Sequence, residues 1–127
     1  MPTPEGKVKD AIKKRLEHYG LVPHTQAIKL VDRGQEIVGS YFMPVAGPYS
    51  VHGIHDFVGC WDGVFFSIET KAPDNSSDAT PAQQDFRAVF SAAGGVSLVG
   101  VRDAAAVDHL AELVQQTRNA IALSCNH

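Results

Sequence analysis

Apolar residues at helical spacing open the chain. In TPEGKVKDAIKKRLEHYG, Val8, Ile12, Leu16 and Tyr19 fall on one stripe, with Thr3 as N-cap, Pro4 in the first turn and Gly20 as a stop. Residues 21–39 have no single period, and TQAIKLVD before Gly34 fits a short helix or a strand equally. GSYFMPV reads as a strand ended by Pro44, and AGPYSVHG as a loop. Two strands then alternate through HDFVGCWDGVFFSIETK around Asp62-Gly63, a dipeptide favoured in two-residue turns. Past the polar loop APDNSSDA, Thr80 and Pro81 start a helix with Ala82, Phe86, Val89, Phe90 and Ala93 on one face, closed by Gly94 and Gly95. VSLVGV is nearly all apolar, as strands buried inside a sheet are. Asp103 caps a last helix striped by Val107, Leu110, Ala111 and Val114, and residues 117–127 carry no clear period. The predicted order is helix, three strands, helix, strand, helix: an α/β chain with no internal repeat and no linker.

Length sets the number of sites to look for. At 127 residues the chain is expected to form one domain, residues 1–127, with one hydrophobic core. Its 44% hydrophobic and 20% charged residues are the balance of a soluble globular protein. No apolar run is long enough to span a bilayer, and MPTPEGKVKDAIKK lacks the apolar core of a signal peptide, so a cytoplasmic location is expected. Cys60 and Cys125 lie far apart in no CxxC pattern, which suggests reduced thiols. A net charge of −3 argues against a protein that coats nucleic acid, yet Lys7, Lys9, Lys13, Lys14 and Arg15 make the first helix locally basic.

The central hairpin carries the candidate chemistry. Taking Asp62-Gly63 as its turn pairs Trp61 with Val64 and, counting outward, sets Asp56 opposite Glu69. Lys71 then shares the face of Glu69, while Phe57, Phe66 and Ile68 point the other way into apolar packing. Opposed carboxylates with Cβ atoms about 5 Å apart repel one another. A divalent cation would relieve that repulsion, since two carboxylates with waters and a substrate phosphate are a usual way to hold Mg²⁺. Lys71 beside them offers positive charge to a phosphate oxygen or an attacking water. On the other reading this is a solvated face where Lys71 pairs with Glu69 and Asp56 merely ends its strand; the hairpin alone does not separate the two.

Two outlying residues also carry two readings each. Glu5 heads the inward stripe of the first helix, where it either reaches for the cation or favours the helix macrodipole. Gln83 lies on the packed side of the second predicted helix, and TPAQ equally fits a capping box. His52, His55, Asp56 and Cys60 are close enough in sequence to suggest a zinc-binding structural module instead, although their spacing fits no established zinc pattern.

These residues resemble those of the VRR-NUC nucleases, a branch of the PD-(D/E)xK endonuclease superfamily. The resemblance runs from residue 5 to about residue 110 and is carried by Asp56 with a separated Glu69-Thr70-Lys71, by GCWDGVFFSIETKAP, and by TPAQ heading a helix that ends in AAGG. It implies a restriction-endonuclease-like αβββαβ core, with a central mixed four-stranded sheet flanked by helices. It also implies a metal-dependent DNA endonuclease, with Asp56, Glu69 and the Thr70 carbonyl holding Mg²⁺ or Mn²⁺ and Lys71 orienting the attacking water. Glu5 and Gln83 match residues that join such sites. Small stand-alone members, many of them phage-encoded, are similar to Holliday-junction resolvases and act as homodimers on branched DNA. The basic residues Lys7, Lys13, Lys14 and Arg15 would then grip phosphates, unless they form an ordinary solvated face. One departure stands out: where the family commonly has Gly-x-Pro-Asp this chain has GIHD, so that His55 replaces a rigid proline with a candidate ligand or phosphate donor. A DNA-binding member that has lost catalysis is the remaining alternative.

Overall fold

The computed structural model describes residues 3–74 and 78–125, so part of the APDNSSDA loop and the end of the tail lie outside the described residues. Helix α1, Pro4–His18, starts where Thr3 Oγ1 accepts the Gly6 N–H, and its buried residues are Val8, Ile12 and Leu16 of the predicted stripe. Strands β2 (Gly39–Phe42), β3 (Phe57–Trp61) and β4 (Val64–Thr70) follow in antiparallel pairing, then helix α3 (Pro81–Ala92), strand β5 (Val96–Val101) and helix α4 (Ala105–Cys125). Between α1 and β2 the ambiguous stretch resolves into strand β1, Leu21–Pro23, and helix α2, His24–Asp32.

That added strand corrects the expected sheet. It holds five strands in the order β1-β2-β3-β4-β5, not four, with β1 parallel to β2 and β4 parallel to β5. A three-residue strand has too little length for a period, and Pro23 suits it only to an edge. The fold is α/β, a mixed sheet flanked by helices.

Turn chemistry fixes the hairpin. Asp62 and Gly63 both take positive φ, 50° and 82°, the geometry of a turn that matches strand twist. From it the ladder runs Trp61–Val64 out to Phe57–Ile68 in the predicted register. Phe57, Trp61, Val64, Phe66 and Ile68 form the core with Val8, Ile12 and Leu16 of α1 and Val107, Leu110 and Val114 of α4. Full burial of one such side chain stabilises by roughly 1.5–3 kcal/mol. On the other face Phe65 stacks on Phe90 of α3 at 4.8 Å, and Phe90 meets Phe86 at 4.6 Å. Val89 and Ala93, expected on that packed face, are exposed, and Phe86 is the residue of α3 that is buried. The tail without a period continues α4, whose last turns are exposed. Among the described residues no helix is long and apolar enough to cross a membrane.

Candidate active site

The last rung of the hairpin is made by carboxylates. Past Phe57–Ile68 the Asp56 N–H donates to Glu69 Oε2 at 3.0 Å, and the Thr70 N–H donates to Asp56 Oδ2 at 2.9 Å. Each acid thus ends the strand of the other. Asp56 Oδ2 also accepts from the Thr70 hydroxyl at 2.7 Å, and its Oδ1 lies 3.5 Å from Lys9 Nζ on α1. Glu69 turns instead toward α3, where its Oε1 accepts from Gln83 Nε2 at 2.8 Å. Asp56 therefore has its further partners on Thr70 and α1 and Glu69 has its own on α3; Asp56 lies one residue before β3, so strand alternation no longer sets its direction.

Gln83 serves both readings at once. Its N–H donates to Thr80 Oγ1 and its Oε1 accepts the Thr80 N–H, completing the capping box, while its amide nitrogen holds Glu69. Lys71 Nζ stands 3.5 Å from the same Oε1, and its backbone N–H donates to Val101 of β5 at 2.8 Å. Glu69 is only 5% exposed, and burial followed by the Asp56 charge pushes its carboxyl from 4.5 up to about 7. Glu5 reaches only the edge of this group, its Oε1 3.5 Å from the Thr70 hydroxyl.

Several other expectations change. His55 is 1% exposed, with Nδ1 at 2.8 Å from Ser67 Oγ and Nε2 at 3.0 Å from the Gln83 carbonyl, so both ring nitrogens are engaged within the protein. Burial lowers its pKa, the Gln83 bond and the Asp56 charge opposing. The zinc grouping is not gathered: Cys60 is exposed on β3, and among the described residues no three His, Cys, Asp or Glu side chains converge as a metal-holding group. Arg15 is bonded to Asp108 of α4 at 2.5 Å, together with the Tyr19 hydroxyl, and clasps two helices instead of facing a ligand. Lys13 lies 3.7 Å from Asp10 and continues the row begun by Glu5 and Lys9 at four-residue spacing. Lys7 and Lys14 are exposed about half a turn away on the outer side of α1. Lys9 is the lysine of α1 that pairs with Asp56, and its i+4 spacing from Glu5 was the sequence signal for it.

The two acids keep acceptor positions that a hard cation could use, although no third His, Cys, Asp or Glu joins them among the described residues. Each Glu69 oxygen accepts one hydrogen bond and Asp56 Oδ1 has only the longer lysine contact among the described residues; a carboxylate offers about four acceptor positions, so both acids retain capacity. Burial first, and the Asp56 charge second, raise the Glu69 carboxyl toward its neutral form, a tendency that a cation at this acid would oppose. A groove of about 570 Å³ between the hairpin turn and the end of α4 is lined by Gly63, Gly95, Ile121 and their neighbours, with no carboxylate or lysine on its walls among the described residues. A smaller cleft of about 460 Å³ borders the site, between the loop of residues 46–54 and the first turn of α3.

Gly53 of that loop has φ 80°, and a Cβ there would overlap the Ala82 carbonyl. Gly53→Ala is expected to destabilise by roughly 1–3 kcal/mol. Denaturant midpoints measured against Gly47→Ala, whose Cβ would meet nothing within 4 Å, check this. No family model, curated protein or solved structure matches the chain.

Proposed function

We propose that this chain is a Mg²⁺- or Mn²⁺-dependent endodeoxyribonuclease of the PD-(D/E)xK kind, similar to the VRR-NUC nucleases, that hydrolyses phosphodiester bonds in branched DNA. The observation that carries the reading is the carboxylate rung of Asp56 and Glu69, with Lys71 and Gln83 within reach at the same strand end. Asp56 and Glu69 would hold the cation, with the Thr70 carbonyl and Glu5 at their border. When bound, it lowers the pKa of a water and stabilises charge developing on the phosphate.

The chain's own groups do the positioning. Gln83 fixes Glu69 and restrains Lys71, whose ammonium orients the attacking water or a phosphate oxygen. Lys9, paired with Asp56, is the nearest cation of α1 for the scissile phosphate, and Lys13, Lys7 and Lys14 lie farther along or around that helix for flanking phosphates. On this reading the protein works in the cytoplasm as a homodimer, whose shape selects junctions over linear duplex.

The test is direct. Fluorescent four-way junction, flap, linear duplex and single strand are incubated with the protein in Mg²⁺, Mn²⁺ or chelator. Cutting is expected with either metal, strongest on the junction, absent in chelator and weaker as salt rises. Binding without cutting under every condition would identify a DNA-binding protein, and cutting that persists in chelator would overturn the metal-dependent mechanism.

A further inference from the structure

We propose that His55 is a positioning residue, which fixes the first turn of α3 through a directed chain of hydrogen bonds and so holds the Gln83 amide on Glu69. The inference rests on the nuclease reading for its catalytic consequence, not for its geometry.

Donor and acceptor roles follow one from another. A carbonyl can only accept, so the nitrogen facing the Gln83 oxygen at 3.0 Å, Nε2, carries the hydrogen. In the neutral ring Nδ1 is then an acceptor and takes the proton of Ser67 Oγ at 2.8 Å. With that proton committed, Ser67 accepts from Ser97 Oγ at 2.6 Å. The chain runs from β5 through β4 into α3: Ser97 to Ser67, Ser67 to His55, His55 to Gln83. Ser67 and Ser97 are buried as well, at 0% and 8% exposed, so none of these bonds competes with bulk water.

What it acts on is the residue that touches the acid. Gln83 is held through its N–H and Oε1 by Thr80 and through its carbonyl by His55, which leaves its amide nitrogen directed at Glu69. The His55 ring also packs against Phe86, one turn along the same helix, at 4.5 Å. A proline at this position would fix the backbone but supply no donor to the Gln83 carbonyl. His55 instead ties the loop before Asp56 to α3, acting through Gln83 and not by contact with substrate.

Three proteins test this: the parent, His55→Leu, which keeps an apolar body without the donor, and His55→Gln, whose amide nitrogen can occupy the place of Nε2. Imidazole ¹⁵N shifts of the parent should report the Nε2–H tautomer. The Gln83 side-chain amide resonances should move toward free-glutamine positions in His55→Leu and return in His55→Gln. In cleavage assays kcat should fall roughly 10–100-fold in His55→Leu with KM for DNA little changed, and His55→Gln should recover most of it. A proton on Nδ1, or Gln83 resonances and kcat unmoved in His55→Leu, would overturn the proposal. If the parent cuts no DNA, the nuclease reading fails while the resonance shifts still decide the positioning role. Should His55→Leu not fold, Ser67→Ala takes its place: it removes the donor to Nδ1, and faster solvent exchange of the His55 Nε2–H is expected, an unchanged rate counting against the chain.

Discussion

Lys71→Ala is expected to fold as the parent does and to cut junction DNA about a thousandfold more slowly in Mg²⁺. The fold survives because the position is held by its backbone: the N–H donates to Val101 of β5, and the side chain, half-buried, contributes nothing to the core. What is lost is the ammonium beside Gln83 Oε1, the cation on the β4 side of the acids. Asp56→Asn should do comparable damage for a complementary reason. Its remaining oxygen still accepts from Thr70, so the hairpin end stays closed, but the negative charge is gone. Single-turnover cleavage with matched circular dichroism spectra and melting curves separates lost chemistry from lost structure. Equal rates in parent and Lys71→Ala would remove the lysine from the mechanism, whatever happens in Asp56→Asn.

Those residues were legible because local rules fix them. An Asp-Gly turn with both φ values positive determines every rung behind it, so the neighbourhood of Asp56 and Glu69 followed from counting. Helices α1 and α3 announced themselves by Thr-Pro starts, both with the threonine hydroxyl capping as expected. The illegible features depend on partners far away in sequence. Strand β1 exists only because Leu21 to Pro23 pair with Gly39 to Tyr41. Sequence reads Arg15 as a phosphate contact because Asp108 comes from the far end of the chain, and His55 as a candidate ligand or phosphate donor because Ser67, Ser97 and Gln83 are not its sequence neighbours.

The orientation of the two acids shows the limit most sharply. Alternation along a strand predicts a shared face only where both strands remain paired. Here the ladder stops at Phe57–Ile68, and the side chains themselves take the next backbone donors. Nothing in a residue's type announces that its strand ends one position early. Each carboxylate is held by a backbone N–H, so on the proposed reading it needs little reorganisation to take up a ligand.

Glu69 should make the metal-free protein less stable as pH rises, which is opposite to the behaviour of an ordinary salt-bridged carboxylate. Its folded-state pKa is raised, from 4.5 to about 7, so the native state binds a proton more tightly than the unfolded chain does. The contribution is fully present below about 4.5 and is lost as pH climbs through about 7. A displacement of that size corresponds to on the order of 3 kcal/mol. Urea titrations from pH 4.5 to 8 in chelator should show this decline, and Glu69→Gln, which cannot ionise, should flatten it. A cation that binds the ionised site competes with the same proton. Mn²⁺ should therefore stabilise the parent at pH 8 much more than at pH 5.5, and its affinity by calorimetry should strengthen with pH up to about 7 and then level off. A pH-independent Mn²⁺ effect that Glu69→Gln retains would place any bound metal away from this acid, and with it the chemistry proposed for the hairpin end.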